Sequence, residues 1–231
     1  LAIRQICLSS MGVDFADINR DGFDDIFVVD MLSRFHTRRL TQRNDVSMEP
    51  LAAGRMDNRP QYPRNMLFLN RGDGTYAEIA QLSGVDASEW SWTPIFLDVD
   101  LDGWEDLLVS TGFERDGMNV DVLAQLEAIK KQQKLTPVEQ LRLRKLFPRL
   151  DSGNLAFRNL GDLKFAEMTE AWGFNARGVA QGMALADLDN DGDLDVVVNN
   201  LNDPAFVYRN EAAAPRVAVR LKGKTPNTHG I

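Results

Sequence analysis

Three stretches of this chain place oxygen-bearing side chains at alternate positions of a short acidic run. In Asp17, Asn19, Asp21 and Asp25 they stand at positions 1, 3, 5 and 9, and the same spacing recurs as Asp98, Asp100, Asp102 and Asp106, then as Asp187, Asp189, Asp191 and Asp195. A hard cation such as calcium takes roughly six to eight oxygen ligands, and alternate residues of a tight loop can point inward to supply them. Glycine at position 6 (Gly22, Gly103, Gly192) permits the sharp turn, and the backbone carbonyls of Phe23, Trp104 and Asp193 at position 7 complete the expected ligand set. About three calcium sites are therefore expected. Magnesium suits such loops less well, because it keeps its waters.

The EF-hand loop begins the same way but needs a bidentate glutamate at position 12 and two flanking helices. Position 12 is Val28, Val109 and Val198, each within an apolar run. The loops therefore belong between strands, with position 9 supplying the closing carboxylate. A short apolar strand precedes each loop and a β-branched or leucine-rich strand follows it, from Gly12, Thr93 and Gly182. A second pattern, starting at Asn65 and at Asn154, alternates around a Gly/Asp turn and reads as a β-hairpin. Four strands per repeat result.

Insertions must lengthen these repeats, since the loops begin at Asp17, Asp98 and Asp187. Residues 33–62 are arginine-rich and read as a long loop with one helical turn, of no legible role. Residues 119–150 read as a helical hairpin. There Val122, Leu123, Leu126 and Ile129 form a stripe, and Thr136-Pro137-Val138-Glu139 combines an N-cap, a proline at N1 and a capping-box glutamate.

Fourteen of the 34 acidic residues lie in the three loops; setting those fourteen aside leaves 20 acids against 26 Lys and Arg, a balance of +6. The acidity is local, and three divalent ions would move the net charge from -8 to -2. The balance argues against nucleic acid as a partner. No apolar run approaches the ~18 residues of a membrane span. Cys7 is the only cysteine, which excludes an intrachain disulfide and reads as a buried small hydrophobe. His36 and His229 stand in no catalytic pattern, and neither a nucleophile-elbow serine nor a phosphate-binding glycine loop is present. Because the chain runs from Leu1 to Ile231, we expect a piece of a longer polypeptide, with any export signal outside it.

At these residues the sequence resembles the FG-GAP/VCBS repeats of integrin-α-like propellers. The run Pro60 to Val85, followed by Trp90-Ser91-Trp92 and the second loop, is similar to bacterial surface proteins that carry them, and Tyr208 to Glu211 with 217–231 resembles the start of an ASPIC/UnbV domain. The resemblance implies an all-β fold: β-propeller-like four-stranded blades with calcium-binding loops, in a partial ring, plus the helical hairpin insertion. It also implies export to the periplasm or cell surface. On this reading 1–92 is a first repeat, 93–180 a second, 181–210 a third lacking its last strand, and 211–231 the ASPIC/UnbV-like segment. Three repeats do not close a ring, so further blades or a partner subunit are expected.

The expected function is non-enzymatic: adhesion, or binding of a protein or glycan ligand at the cell surface. Alternatives are a carbohydrate-active enzyme or its sugar-binding module, suggested by Trp90, Trp92 and Trp104 around the second loop, and a structural subunit of a surface assembly. Arg71-Gly72-Asp73 reads as a turn, and Lys130, Lys131, Lys134, Arg142, Arg144, Lys145 and Arg149 as a solvated basic face.

Overall fold

The computed structural model describes residues 2–42, 59–215, 217, 219 and 222–226. Its strands are β1 (Ile6–Cys7), β2 (Val13–Ala16), β3 (Asp25–Val28), β4 (Gln61–Tyr62), β5 (Met66–Asn70), β6 (Tyr76–Glu78), β7 (Ser91–Leu97), β8 (Asp106–Thr111), β9 (Ser152–Gly153), β10 (Leu155–Asn159), β11 (Phe165–Glu167), β12 (Arg177–Gly178), β13 (Ala180–Ala186), β14 (Asp195–Asn200) and β15 (Phe206–Tyr208). They form two antiparallel four-stranded sheets, β2-β3-β5-β6 and β7-β8-β10-β11, and a third sheet, β13-β14-β15, with three strands among the described residues. The first strands lie side by side, with β7 between β2 and β13. The architecture is all-β and propeller-like, as the resemblance implied.

Alternation within each strand sends neighbouring side chains to opposite sheet faces, and both faces of the middle sheet are buried. Leu107, Val109 and Phe157 pack with Phe27, Val29 and Leu67 of the first sheet, whereas Leu108 and Ala156 pack with Val196 and Val198 of the third. The outer face of the first sheet is covered by β1 and β4, a parallel pair that brings Cys7 and Tyr62 against Met66 and Phe68. Gln61 and Tyr62 thus form a strand at the end of what reads in sequence as a loop. Two-residue strands carry no periodicity to read.

Antiparallel pairing divides the connections between two ends of the sheets. The acidic loops and the β5–β6 and β10–β11 turns share one end, and the insertions share the other. The helical hairpin is α3 (Val120–Gln132) and α4 (Pro137–Leu143), following α1 (His36–Arg39) and α2 (Ala80–Ser83). Asn119 caps α3 by accepting from Val122 N–H, and Thr136 and Glu139 form a reciprocal capping box on α4. Val122 and Leu126 face Phe147 beneath the hairpin.

Of the first insertion, 43–58 lies outside the described residues. The preceding arginines have a definite role: Arg38 pairs with buried Glu89 and Asp116, and Arg34 with Glu167. Gln42 accepts from Ser33 N–H and bridges to Asn119 at the start of α3. The insertion therefore ties the first sheet to the second and to the helical hairpin.

Candidate metal centres

Each acidic loop joins the first and second strands of its sheet, and all three adopt one conformation. Position 4 is left-handed in each (Arg20, φ 60; Leu101, φ 57; Asn190, φ 62), and so is the position-6 glycine, with φ between 89 and 95. Only the glycine was legible in sequence, since the residues at position 4 share no chemistry. The glycine N–H donates to the position-1 carboxylate, at 2.8 Å for Gly22 to Asp17 and Gly103 to Asp98 and 3.1 Å for Gly192 to Asp187. The position-7 N–H donates to position 5, from Phe23 to Asp21, Trp104 to Asp102 and Asp193 to Asp191. These bonds turn the carboxylates inward.

Position 9 is the most constrained. Asp25, Asp106 and Asp195 are at most 2% exposed, and in each both oxygens accept backbone N–H groups. One donor is position 2 of the same loop (Ile18, Val99, Leu188), and the other is an asparagine at the end of the third strand (Asn70, Asn159) or two residues past it (Asn210). This latch couples adjacent repeats as well. The Asn159 side-chain amide donates to Ile18 C=O in the first loop, and that of Asn210 to Val99 C=O in the second, both at 2.9 Å. The three asparagines were missed in sequence, although each stands at the same place relative to its repeat's position-9 aspartate.

Oxygens of Asp98, Asp100 and Asp106 lie within 4.8 Å of one another, as do those of Asp187, Asp189 and Asp191. In the third loop Asp195 is not part of this cluster. In the first, Asn19 bridges Asp21 by accepting its N–H and donating to its side chain. Asp98 Oδ1 and Asp100 Oδ1 are buried with no hydrogen-bond donor. Orphaned buried carboxylate oxygens are costly unless a cation meets them, so the residues of the second loop fit a hard divalent ion.

Burial, only partly offset by the latch hydrogen bonds, raises the Asp25 carboxyl to about 6 and that of Asp106 to about 7. The folded state therefore takes up these protons before the unfolded state does. In chelator, their contribution to stability rises as pH falls from about 7 toward the unfolded carboxylate value near 4. Urea unfolding should show wild type gaining more than Asp106→Asn on acidification from about pH 7.5 to about pH 5.

A family model described as FG-GAP-like repeat matches residues 51–109 and 146–198. These two segments are similar to FG-GAP-like repeats. The two matches take in the second and third loops, and the first loop, which lies outside them, shares their hydrogen-bond pattern. No curated protein matches the chain.

Outside the acidic loops, the other sequence candidates separate. Trp90 stacks on Phe113 at 4.0 Å with Trp92 on the same ring. Trp104 lies beyond the other end of β7, where Arg20 of the first loop sits 5.0 Å from its ring centroid. The three tryptophans therefore do not form one platform. Arg71-Gly72-Asp73 is the β5–β6 turn, with Gly72 at φ 70 and Asp73 accepting from Thr75. Cys7 is buried and its thiol is pushed up to about 12, chiefly by burial. Lys130, Lys131, Lys134, Arg142, Arg144 and Lys145 are exposed, and Arg149 pairs with Asp203. His229 lies outside the described residues. Among the described residues no helix is long and apolar enough to cross a membrane.

Proposed function

We propose that the chain is a calcium-stabilised, non-enzymatic propeller-like segment of an exported protein, acting in adhesion or in binding a protein or glycan ligand. The observation that carries the calcium reading is the hydrogen-bonded geometry shared by three loops, with carboxylates that converge in the second and third and two oxygens of the second buried without a donor. Positions 1, 3 and 5 would hold the ion with the position-7 carbonyl, and position 9 would close the site while latching it to the third strand. FG-GAP repeats generally serve as binding modules rather than catalysts. A ligand has a place at the end opposite the loops, in a cleft of about 520 Å³ lined by Arg34, Arg38, Glu89, Glu167, Asn175 and Arg177. Its mixed charge suits a polar partner. Calorimetric titration of the chelator-treated chain should reveal about three calcium sites, and absence of heat at millimolar calcium overturns the proposal.

A structural-subunit reading is favoured by one face. Phe27 and Leu67 in the first sheet, and Leu108 and Ala156 in the second, are buried beneath the next sheet. The equivalent pair in the third is Val197 and Val207, and Val207 is 63% exposed. A further blade or a partner subunit would cover it. Light scattering across a concentration series tests for self-association, and co-purification tests for a partner.

A further inference from the structure

The third strands differ at one residue that reaches into the loops. Asn70, Asn159 and Asn210 all donate their backbone N–H to a position-9 aspartate, at 2.7, 2.9 and 2.8 Å, which fixes their equivalence. The residues before them are therefore equivalent too: Leu69, Arg158 and Arg209. Arg158 Nε lies 2.7 Å from Asp100 Oδ2 and its Nη2 2.8 Å from Asp102 Oδ2, at positions 3 and 5 of the second loop. Arg209 addresses positions 3 and 5 of the third loop in the same way, with Nε 2.6 Å from Asp189 Oδ2 and Nη2 3.7 Å from Asp191 Oδ2.

The loops also differ at position 3, and the two differences match. Where the strand offers arginine, position 3 is Asp100 or Asp189; where it offers Leu69, position 3 is Asn19. Side chains at positions 1, 3, 5 and 9 carry four formal negative charges in the second and third loops and three in the first. Counting the arginine, all three constellations carry three.

We propose that Arg158 and Arg209 are internal counter-ions to the position-3 aspartates, and that this pairing sets the calcium affinity of the second and third loops. The proposal rests on the calcium reading above. A guanidinium stays charged at every accessible pH and grips two carboxylates with its planar fork. It neutralises Asp100 and Asp102 from one side while Asp98 Oδ1 and Asp100 Oδ1 remain without donors, so it leaves room for a cation on the other. It is also a like charge beside that cation, and it draws on a carboxylate, Asp100, that the cation would share. A residue that merely oriented the carboxylates for calcium would instead strengthen binding.

The second loop can be read by itself, because it alone has an indole at position 7: Trp104, against Phe23 and Asp193. Terbium bound there emits on excitation through Trp104, and calcium displaces it. Arg158→Leu should lower the free calcium needed for displacement about ten-fold, as expected from removing one charge near the ion, and should lower the melting temperature of the metal-free chain. Arg158→Leu combined with Asp100→Asn recreates the charge pattern of the first loop and should return both readouts toward wild type. Arg158→Gln, which keeps most of the side chain's length, should shift in the same direction as Arg158→Leu and serves if the leucine variant does not fold. Unchanged or weaker calcium affinity in Arg158→Leu or Arg158→Gln, or a double variant whose effects simply add, overturns the counter-ion role. A wild-type chain whose terbium signal does not respond to millimolar calcium, and which takes up no calcium heat, overturns the calcium reading and the proposal with it.

Discussion

Asp106→Ala is expected to cost about 3 to 5 kcal/mol, and to loosen the first acidic loop as well as its own. The substitution leaves the N–H groups of Val99 and Asn159 without an acceptor, in a place where Asp106 is fully buried. Each orphaned buried donor costs roughly 1–3 kcal/mol, against a total stability of about 5–15 kcal/mol. Asn159 is held by that bond, and its side-chain amide in turn holds Ile18 C=O, so the damage crosses to the first repeat. Asp106→Asn should cost about half as much, since one amide oxygen can still accept from one of the two donors. Asp24→Ala, at an exposed position of the first loop, should stay within about 0.5 kcal/mol of wild type. Urea unfolding followed by circular dichroism checks all three, and an Asp106→Ala chain as stable as the Asp24→Ala control contradicts the latch.

The second large effect is the loss of calcium itself. An ion that binds only the folded chain at about 100 times its dissociation constant adds about 2.7 kcal/mol, so three independent sites add roughly 8 kcal/mol. For a chain of this size that corresponds to roughly 15–30 °C in melting temperature. Chelation should therefore lower the midpoint by that order, and magnesium at equal concentration should restore little of it, because it gives up its waters reluctantly. The latch predicts how the three sites depend on each other. Asn159 and Asn210 each bind a position-9 aspartate of one loop and a carbonyl of the preceding one, so loss of one ion should broaden the unfolding of its neighbour. A melting curve insensitive to chelator contradicts this.

What the sequence made legible was local. The loops announced themselves because four oxygen positions and a glycine repeat within nine residues, and a cap at Thr136 with an apolar stripe from Val122 suffices to mark a helical hairpin. What stayed hidden depended on partners far along the chain. Arg38 reads as one arginine among several until the fold brings Glu89 and Asp116 beside it. Ile6 and Cys7 pair with Gln61 and Tyr62 across more than fifty residues, with too few positions for a period to show. Position 9 was legible as a ligand position but not as a latch, since its second role needs the end of the third strand. Trp104 looked close to Trp90 and Trp92 because the three are near in sequence, yet Trp90 and Trp92 stand at the start of β7 and Trp104 lies beyond its far end. The equivalence of Leu69, Arg158 and Arg209 emerges only once the asparagines after them are seen to perform one task.

Counting bound ions by native mass spectrometry tests the central claim most directly, comparing wild type with a variant carrying Asp17→Asn, Asp98→Asn and Asp187→Asn. These position-1 residues accept from the glycines of their own loops, and from the position-5 N–H in the first and third, and not from the latch donors, so the latch at position 9 is left in place. About three calcium ions are expected on wild type, and a loss of most or all of them in the variant, with the same fold by circular dichroism. Wild type free of calcium at millimolar concentration, or a variant that retains every ion, contradicts it.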